Sequence, residues 1–136
     1  MYLVDTNVIS EARKGIKANP GVREFFQTTA ADGLYISAQT IGEIRRGLEN
    51  IRHRGDLPQT RMLEKWLGRV VVDYADKILT FDEECAQVWG RLMSPHPVHR
   101  IDKQIAAIAL IHDLTLVTRN VDNFRGTGVA IKNPFV

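Results

Sequence analysis

Five short apolar runs, each broken off by polar or turn residues, alternate along this chain with longer stretches of helical periodicity. The runs are 2–5, 34–37 (Leu34-Tyr35-Ile36-Ser37), 78–81, 115–118 and 129–132. Short apolar segments separated by helices favour a parallel sheet covered on both faces. Between them, residues 38–53 set Ile41, Ile44, Leu48 and Ile51 on one helical stripe, and residues 57–75 carry Leu63, Leu67, Val70 and Val71 on another that starts near Pro58. Residues 82–94 read as a helix capped by Asp82, Pro95 and Pro97 mark a loop, and 99–113 is the most apolar helix of the chain. No repeat, low-complexity segment or linker interrupts the pattern. The expectation is one α/β domain over residues 1–136, with a mainly parallel sheet of about five strands.

Composition narrows the partners more than the chemistry. A net charge of +2 permits an anionic partner without demanding one. The single Cys85 excludes an internal disulfide and fits a reducing cytoplasm. No stretch approaches the roughly 20 apolar residues needed to cross a bilayer, and the N-terminal run is too short for a signal peptide.

The first run stops on a carboxylate, in Leu3-Val4-Asp5-Thr6-Asn7. In open α/β sheets ligands bind just beyond the carboxyl ends of the strands, so Asp5 stands where a buried strand delivers charge to a cleft. Asp5 also suits a helix N-cap, but three polar groups stand together where capping needs one. Glu43 lies in Thr40-Ile41-Gly42-Glu43, which has the spacing of a capping box. Ser37 is the better cap, which puts Glu43 inside the helix on the flank of Thr40 and Gly47. A glycine inside a helix costs about 1 kcal/mol relative to alanine, so Gly47 suggests that something passes close to that flank. Asp102 precedes Ala106 and Ala109 on a face narrow enough to lie tightly on the sheet, though the helix dipole alone would favour a carboxylate there. Asn120 and Asp122 follow the strand 115–118, where turn residues are the ordinary reading. Acidic groups brought to one cleft from distant segments suggest a hard-metal site. His96 and His99 form a conceivable ligand pair, but no cysteine or third histidine lies nearby.

Taken in order, these segments resemble the PIN-domain proteins, specifically the VapC toxin branch of the VapBC toxin–antitoxin systems. The resemblance rests on Leu3-Val4-Asp5-Thr6-Asn7-Val8-Ile9-Ser10-Glu11, on Tyr35-Ile36-Ser37 with Thr40-Ile41-Gly42-Glu43-Ile44-Arg45-Arg46-Gly47, on Ile101-Asp102 with Ile105-Ala106-Ala107, on Leu114-Thr115-Leu116-Val117-Thr118-Arg119-Asn120, and on Asn133-Pro134-Phe135. It spans essentially the whole chain and implies a three-layer α/β/α fold and a metal-dependent endoribonuclease. By the same analogy Asp5, Glu43 and Asp102 correspond to acidic metal ligands, and Asn120 occupies the place of a fourth acidic residue. A neutral amide weakens that subsite, and Asp122 is a candidate to compensate. Lys103 departs from the small or apolar residue usual after the third acid; its ammonium is expected in solvent, with contact to a substrate phosphate the alternative.

All-oxygen ligands select Mg²⁺, or Mn²⁺, over zinc. Asp5 and Asp102 are expected to hold the first ion and Glu43 to orient or deprotonate the attacking water. Thr6, Asn7 and Thr118 would steady the carboxylates by hydrogen bonds. Water attack leaves a 5′-phosphate and a 3′-hydroxyl. Arg45, Arg46, Arg52, His53, Arg54, Arg61, Lys65 and Arg69 crowd the two central helices, but the interspersed Glu49, Asp56 and Glu64 read as a solvated hairpin. Arg119, beside the site, is the better substrate contact. The resemblance also implies a VapB-like antitoxin, a homodimer and a hetero-oligomer that meets DNA only through the antitoxin. Val8, Ile9, Val22, Phe25 and Phe26 are candidates for the groove that would take its tail, with ordinary core packing the alternative for each. Two other classes fit less well: an α/β phosphatase or receiver-like protein using Asp5, where Asn7 occupies the place of a needed second Asp, and a catalytically weakened binding module.

Overall fold

A computed structural model describes residues 1–136. Five parallel strands, β1 (Tyr2–Val4), β2 (Leu34–Ser37), β3 (Ile78–Leu79), β4 (Thr115–Val117) and β5 (Ile131–Lys132), form one sheet in the order β3-β2-β1-β4-β5. Both neighbours of β1 are registered from its first residue, Tyr2 opposite Leu34 on one side and Thr115 on the other. The chain leaves β1 toward β2 and β3, then crosses back to β4 and β5. The strand order therefore reverses between β1 and β4, and the crevice at their carboxyl ends is the switch point where such sheets bind ligands.

Successive side chains point to opposite faces, and both faces are covered. Val4, Ile36 and Val117 join one core with Val8, Val22, Leu48, Leu63 and Leu67, beneath α1 (Thr6–Ala12), α2 (Pro20–Thr28), α3 (Ala38–His53) and α4 (Leu57–Asp73). Leu3 and Leu116 join the other with Cys85, Ile105, Ala106 and Ile108, beneath α5 (Glu83–Met93) and α6 (Arg100–Ile111). This is the three-layer α/β/α arrangement with an all-parallel sheet.

Local chemistry explains most of the boundaries. Asp5, Asn19, Ser37, Asp56 and Asp82 each accept a backbone N–H from the first turn of the helix that follows, and proline opens α2 and occupies the first turn of α4. Only α6 lacks such a side-chain cap; it starts after His99, whose φ is +55°. The strands expected at 78–81 and 129–132 shorten to two residues each at the sheet edges, where only one neighbour supplies pairing. No helix is long and apolar enough to cross a membrane.

Three expectations are corrected by the packing. Val8, Ile9 and Val22 are buried in the core beneath α1 and α2 and line no surface cavity, whereas Phe25 and Phe26, packed on the same core, each line one. A side chain at Gly47, or at Gly42, would meet only open space, so no part of this chain passes close to that flank. Lys103 is buried rather than solvated; its Nζ donates to the His96 carbonyl at 3.3 Å, under the proline loop that leads into α6. That carbonyl gives the ammonium a partner in place of water, while the four-carbon stem lies in the interior.

Candidate active site

Asp5 is the last residue before α1 and is held from several directions. Its backbone N–H donates to the Val117 carbonyl at 2.9 Å, continuing the β1–β4 ladder by one residue. Its Oδ1 accepts from the Thr6 N–H at 2.8 Å, and its Oδ2 accepts from the Thr118 hydroxyl at 2.8 Å and the Asn7 amide at 3.3 Å. The capping and the cleft-facing readings of Asp5 are therefore the same geometry. Asn7 braces the loop after β4 as well, donating to Thr118 Oγ1 at 3.2 Å and accepting from the Arg119 N–H at 3.0 Å. The Asn120 N–H donates to Thr118 Oγ1 at 3.0 Å, so Thr118 ties three residues together from a fully buried position.

Glu43 reaches the same place from α3. Its Oε1 accepts from the Thr6 hydroxyl at 2.7 Å, and Thr6 Oγ1 lies 3.1 Å from Thr40 Oγ1. Ser37, the cap of α3, bonds Thr40 in turn. Asp102 comes from the first turn of α6 on the opposite layer, where its Oδ2 accepts from the Asn123 amide at 2.9 Å. One further link joins the layers beside these carboxylates: Gln39 Nε2 donates to Gln104 Oε1 at 3.3 Å, while the Gln39 Oε1 is buried without a donor. An orphaned buried acceptor is an opening for a water or a ligand.

The electrostatics are frustrated. Burial pushes the Asp5 carboxyl up to about 6, against the pull of the Thr118 and Thr6 hydrogen bonds, and the negative charges of Asp102 and Glu43 push it further. Burial likewise raises Glu43, the Thr6 hydrogen bond opposes this, and Asp102 adds to it. Asp5 and Glu43 thus feel their acidic neighbours, only Arg46 pulling Glu43 the other way, and the three carboxylates take hydroxyls and amides as hydrogen-bond partners.

Asp122 does not join them. Its Oδ1 accepts from Arg125, with Nη2 at 2.8 Å, and both side chains are about 81% exposed. In the short 3-10 turn Val121–Phe124, Asn123 rather than Asp122 is the residue turned onto Asp102. Asn120 is exposed and contributes its backbone N–H to the network. The polar run Asn120-Val121-Asp122-Asn123 carried a signal for Asn123, but only the turn geometry selects among its members. His96 and His99 are exposed on the proline loop.

As the side chains lie, no three acidic, histidine or cysteine groups form a ready-made cage for an ion. The donors that converge are nonetheless carboxylate oxygens without histidine or cysteine, which suits Mg²⁺ or Mn²⁺. Mg²⁺ is commonly held by one or two carboxylates and keeps several waters. The raised Asp5 and Glu43 are the response of buried like charges that such an ion would relieve.

A parallel sheet that brings Asp5, Glu43 and Asp102 to the carboxyl-end switch point is the setting in which open α/β proteins place their binding sites. The chain belongs to the PIN domain family, whose pattern matches residues 2–129. It is 33% identical to the plasmid stability protein StbB of Pseudomonas syringae pv. tomato, over 99% of each chain. It is 31% identical to toxin FitB of Neisseria gonorrhoeae, over 99% of each chain, and 31% identical to the VapC ribonuclease Y4jK of Sinorhizobium fredii, over 99% of this chain and 98% of the relative. Among solved structures it resembles FitAcB from Neisseria gonorrhoeae, with TM-score 0.86 and 31% identity over 98% of each chain. It also resembles FitAB bound to a DNA fragment, with TM-score 0.82 and 29% identity over 98% of this chain and 95% of that one.

Proposed function

We propose that this chain is the toxin of a toxin–antitoxin pair and a Mg²⁺- or Mn²⁺-dependent endoribonuclease, acting in the cytoplasm. The observation that carries the reading is the convergence of Asp5, Glu43 and Asp102 from three elements onto one crevice, with Asp5 and Glu43 raised by burial and by their neighbours' charge. The kinship with a VapC ribonuclease and a FitB toxin supports it.

In this reading Asp5 and Asp102 would hold the cation, Asp5 fixed by Thr118 and Thr6 and Asp102 by Asn123. When bound, the ion supplies an acidified water and neutralises charge developing on the phosphodiester. Glu43, kept in orientation by the Thr6 hydroxyl, positions the attacking water and takes up its proton. Water attacks phosphorus in line with O3′, the P–O3′ bond breaks and O3′ leaves with a proton, so the products carry a 5′-phosphate and a 3′-hydroxyl, and no 2′-hydroxyl chemistry is required. Selection for RNA then rests on shape and backbone contacts. Asn120 stands near the site as a neutral amide, and Asp122 is left to its ion pair with Arg125.

The same acidic crevice suits an arginine fork, which pairs with carboxylates in plane. A VapB-like antitoxin that directs an arginine or lysine at Asp5, Glu43 and Asp102 would silence it, and the hetero-oligomer, built on a homodimer of this chain, would meet DNA through the antitoxin. The FitAB–DNA structure supports that arrangement. Asp5→Asn tests the catalytic half: it should abolish Mg²⁺-dependent cleavage of single-stranded RNA while leaving the fold intact. Cleavage retained in that variant, or undiminished in EDTA, would refute the metal mechanism. Co-purification of a partner with wild type and with Asp5→Ala tests the other half, because an active-site plug should bind the variant less tightly.

A further inference from the structure

Arg119 follows the residue that clamps Asp5, and its backbone N–H is pinned by Asn7 Oδ1 at 3.0 Å. Its guanidinium lies 4.8 Å from the centre of the Phe135 ring. Stacking occupies the flat face of a guanidinium and leaves its in-plane N–H donors free. Arg119 is exposed and uses those donors on no other side chain. Arg45, Arg52 and Arg125, in contrast, are each committed to a carboxylate. The acid whose field reaches Arg119 is Glu11, but its two oxygens are taken by Lys14 Nζ and the Asn19 N–H, both at 2.8 Å.

Phe135 is itself held in place. Asn19 Oδ1 accepts from the Gly21 N–H at 3.0 Å and the Val136 N–H at 3.2 Å, and Asn19 Nδ2 donates to the Val136 carbonyl at 3.0 Å. A Cβ at Gly21 would strike the Pro134 carbonyl oxygen, so only glycine lets residues 134–136 lie against the start of α2. Phe135 packs partly buried against the core beneath α1 and α2.

We propose that Arg119 binds a phosphate of single-stranded RNA next to the scissile one, and that residues 133–136, locked onto α2 through Asn19 and Gly21, are the device that aims it. Arg119 would touch substrate; Phe135 and Gly21 would be positioning residues acting through it. The inference rests on the RNA reading above and adds the residue that grips the backbone and the segment that holds it.

Binding of a fluorescein-labelled single-stranded oligoribonucleotide, followed by anisotropy in EDTA across a salt series, tests this without requiring cleavage. Arg119→Gln should weaken binding about tenfold and reduce the slope of log K against log salt by about 0.7, the value for one phosphate contact on a single strand. Phe135→Leu, which keeps apolar volume but loses the ring face, should weaken binding in the same direction, and Phe135→Tyr should restore it. Gly21→Ala should mimic Phe135→Leu from a distance, with thermal unfolding recorded for every variant. If Arg119→Gln binds with unchanged affinity and slope, or wild type binds no RNA, the proposal is overturned. If Phe135→Leu and Phe135→Tyr bind alike, the aiming role is overturned. RNA binding with these effects but no cleavage on adding Mg²⁺ would sink the nuclease reading and leave this one standing.

Discussion

On the α3–α4 hairpin, Arg45 and Arg52 interleave with Glu49 and Glu64 at 2.8–3.0 Å, each acid answered by a guanidinium. At the carboxyl edge of β1 and β4, Asp5, Glu43 and Asp102 gather with hydroxyls and amides as their hydrogen-bond partners. The consequences run in opposite directions. The arginine hydrogen bonds hold Glu49 and Glu64 below the ordinary carboxylate range, whereas burial lifts Asp5 and Glu43 above it. Charge density alone does not mark a site; the hairpin carries more of it and is a surface at rest. Carboxylates raised by burial, with only Arg46 as a cation acting on Glu43, mark the crevice rather than the hairpin as the place where charge could be put to use.

The largest effect that could break this contrast is at Asp5. Asp5→Asn should lower RNA cleavage by roughly two to three orders of magnitude or more, measured on a labelled oligoribonucleotide, and should raise the thermal midpoint in metal-free buffer. The matching Glu64→Gln change on the hairpin should leave cleavage untouched. If both variants lose activity alike, the difference between the regions is not functional.

The pH dependence follows with its sign. Asp5 is raised in the folded state, so the folded chain holds a proton that the unfolded chain has already released. Its contribution is fully present below the unfolded value of 3.8 and is lost as the pH climbs through about 6. The shift from 3.8 to about 6 corresponds to about 3 kcal/mol of stability lost across that window. Denaturant titrations in EDTA should show this decline for wild type and a shallower one in Asp5→Asn, where the raised Glu43 remains. Saturating Mg²⁺ should flatten or invert the slope, since a bound cation favours the ionised carboxylates.

Smaller effects sharpen the picture. Asn123→Ala frees the carboxylate of Asp102 and should weaken Mg²⁺ binding by about 10–100-fold, read by calorimetry. Asp122→Asn should leave the same isotherm unchanged, because Asp122 is engaged with Arg125 in solvent. Should the two substitutions exchange these outcomes, the turn after β4 presents its residues differently from the geometry described above.

Much of this molecule was legible from its amino-acid order. The span of α3, Ala38–His53, coincides with the helical stretch 38–53, because Ser37 is a strong cap and the apolar stripe runs unbroken. Asp82 announces α5 in the same way. Other features depend on partners far along the chain. Whether Val8 and Phe25 face a groove or a core is decided by how α1 and α2 lie on the sheet. Whether Lys103 seeks water is decided by a carbonyl in the loop at His96. Asn123 is chosen over Asp122 by the path of a single 3-10 turn. Periodicity fixes which face of a helix is apolar, but not what eventually stands opposite a polar group.

The hydrogen bond from Thr118 to Asp5 joins residues 113 positions apart, and β1 takes β4 as one of its two neighbours. In vectorial synthesis the first strand is made at once, while the strand beside it and the clamp on its carboxylate come near the end. An emerging chain of about a hundred residues has β2 and β3 to pair but leaves one side of β1 bare, with Asp5 unclamped and Thr118 not yet made. Long-range pairings of this kind also close slowly once the chain is free. The crevice therefore assembles only after nearly the whole polypeptide has been translated. A truncated product that ends before Thr118 is expected to be inert, however much of the α3–α4 hairpin it has folded.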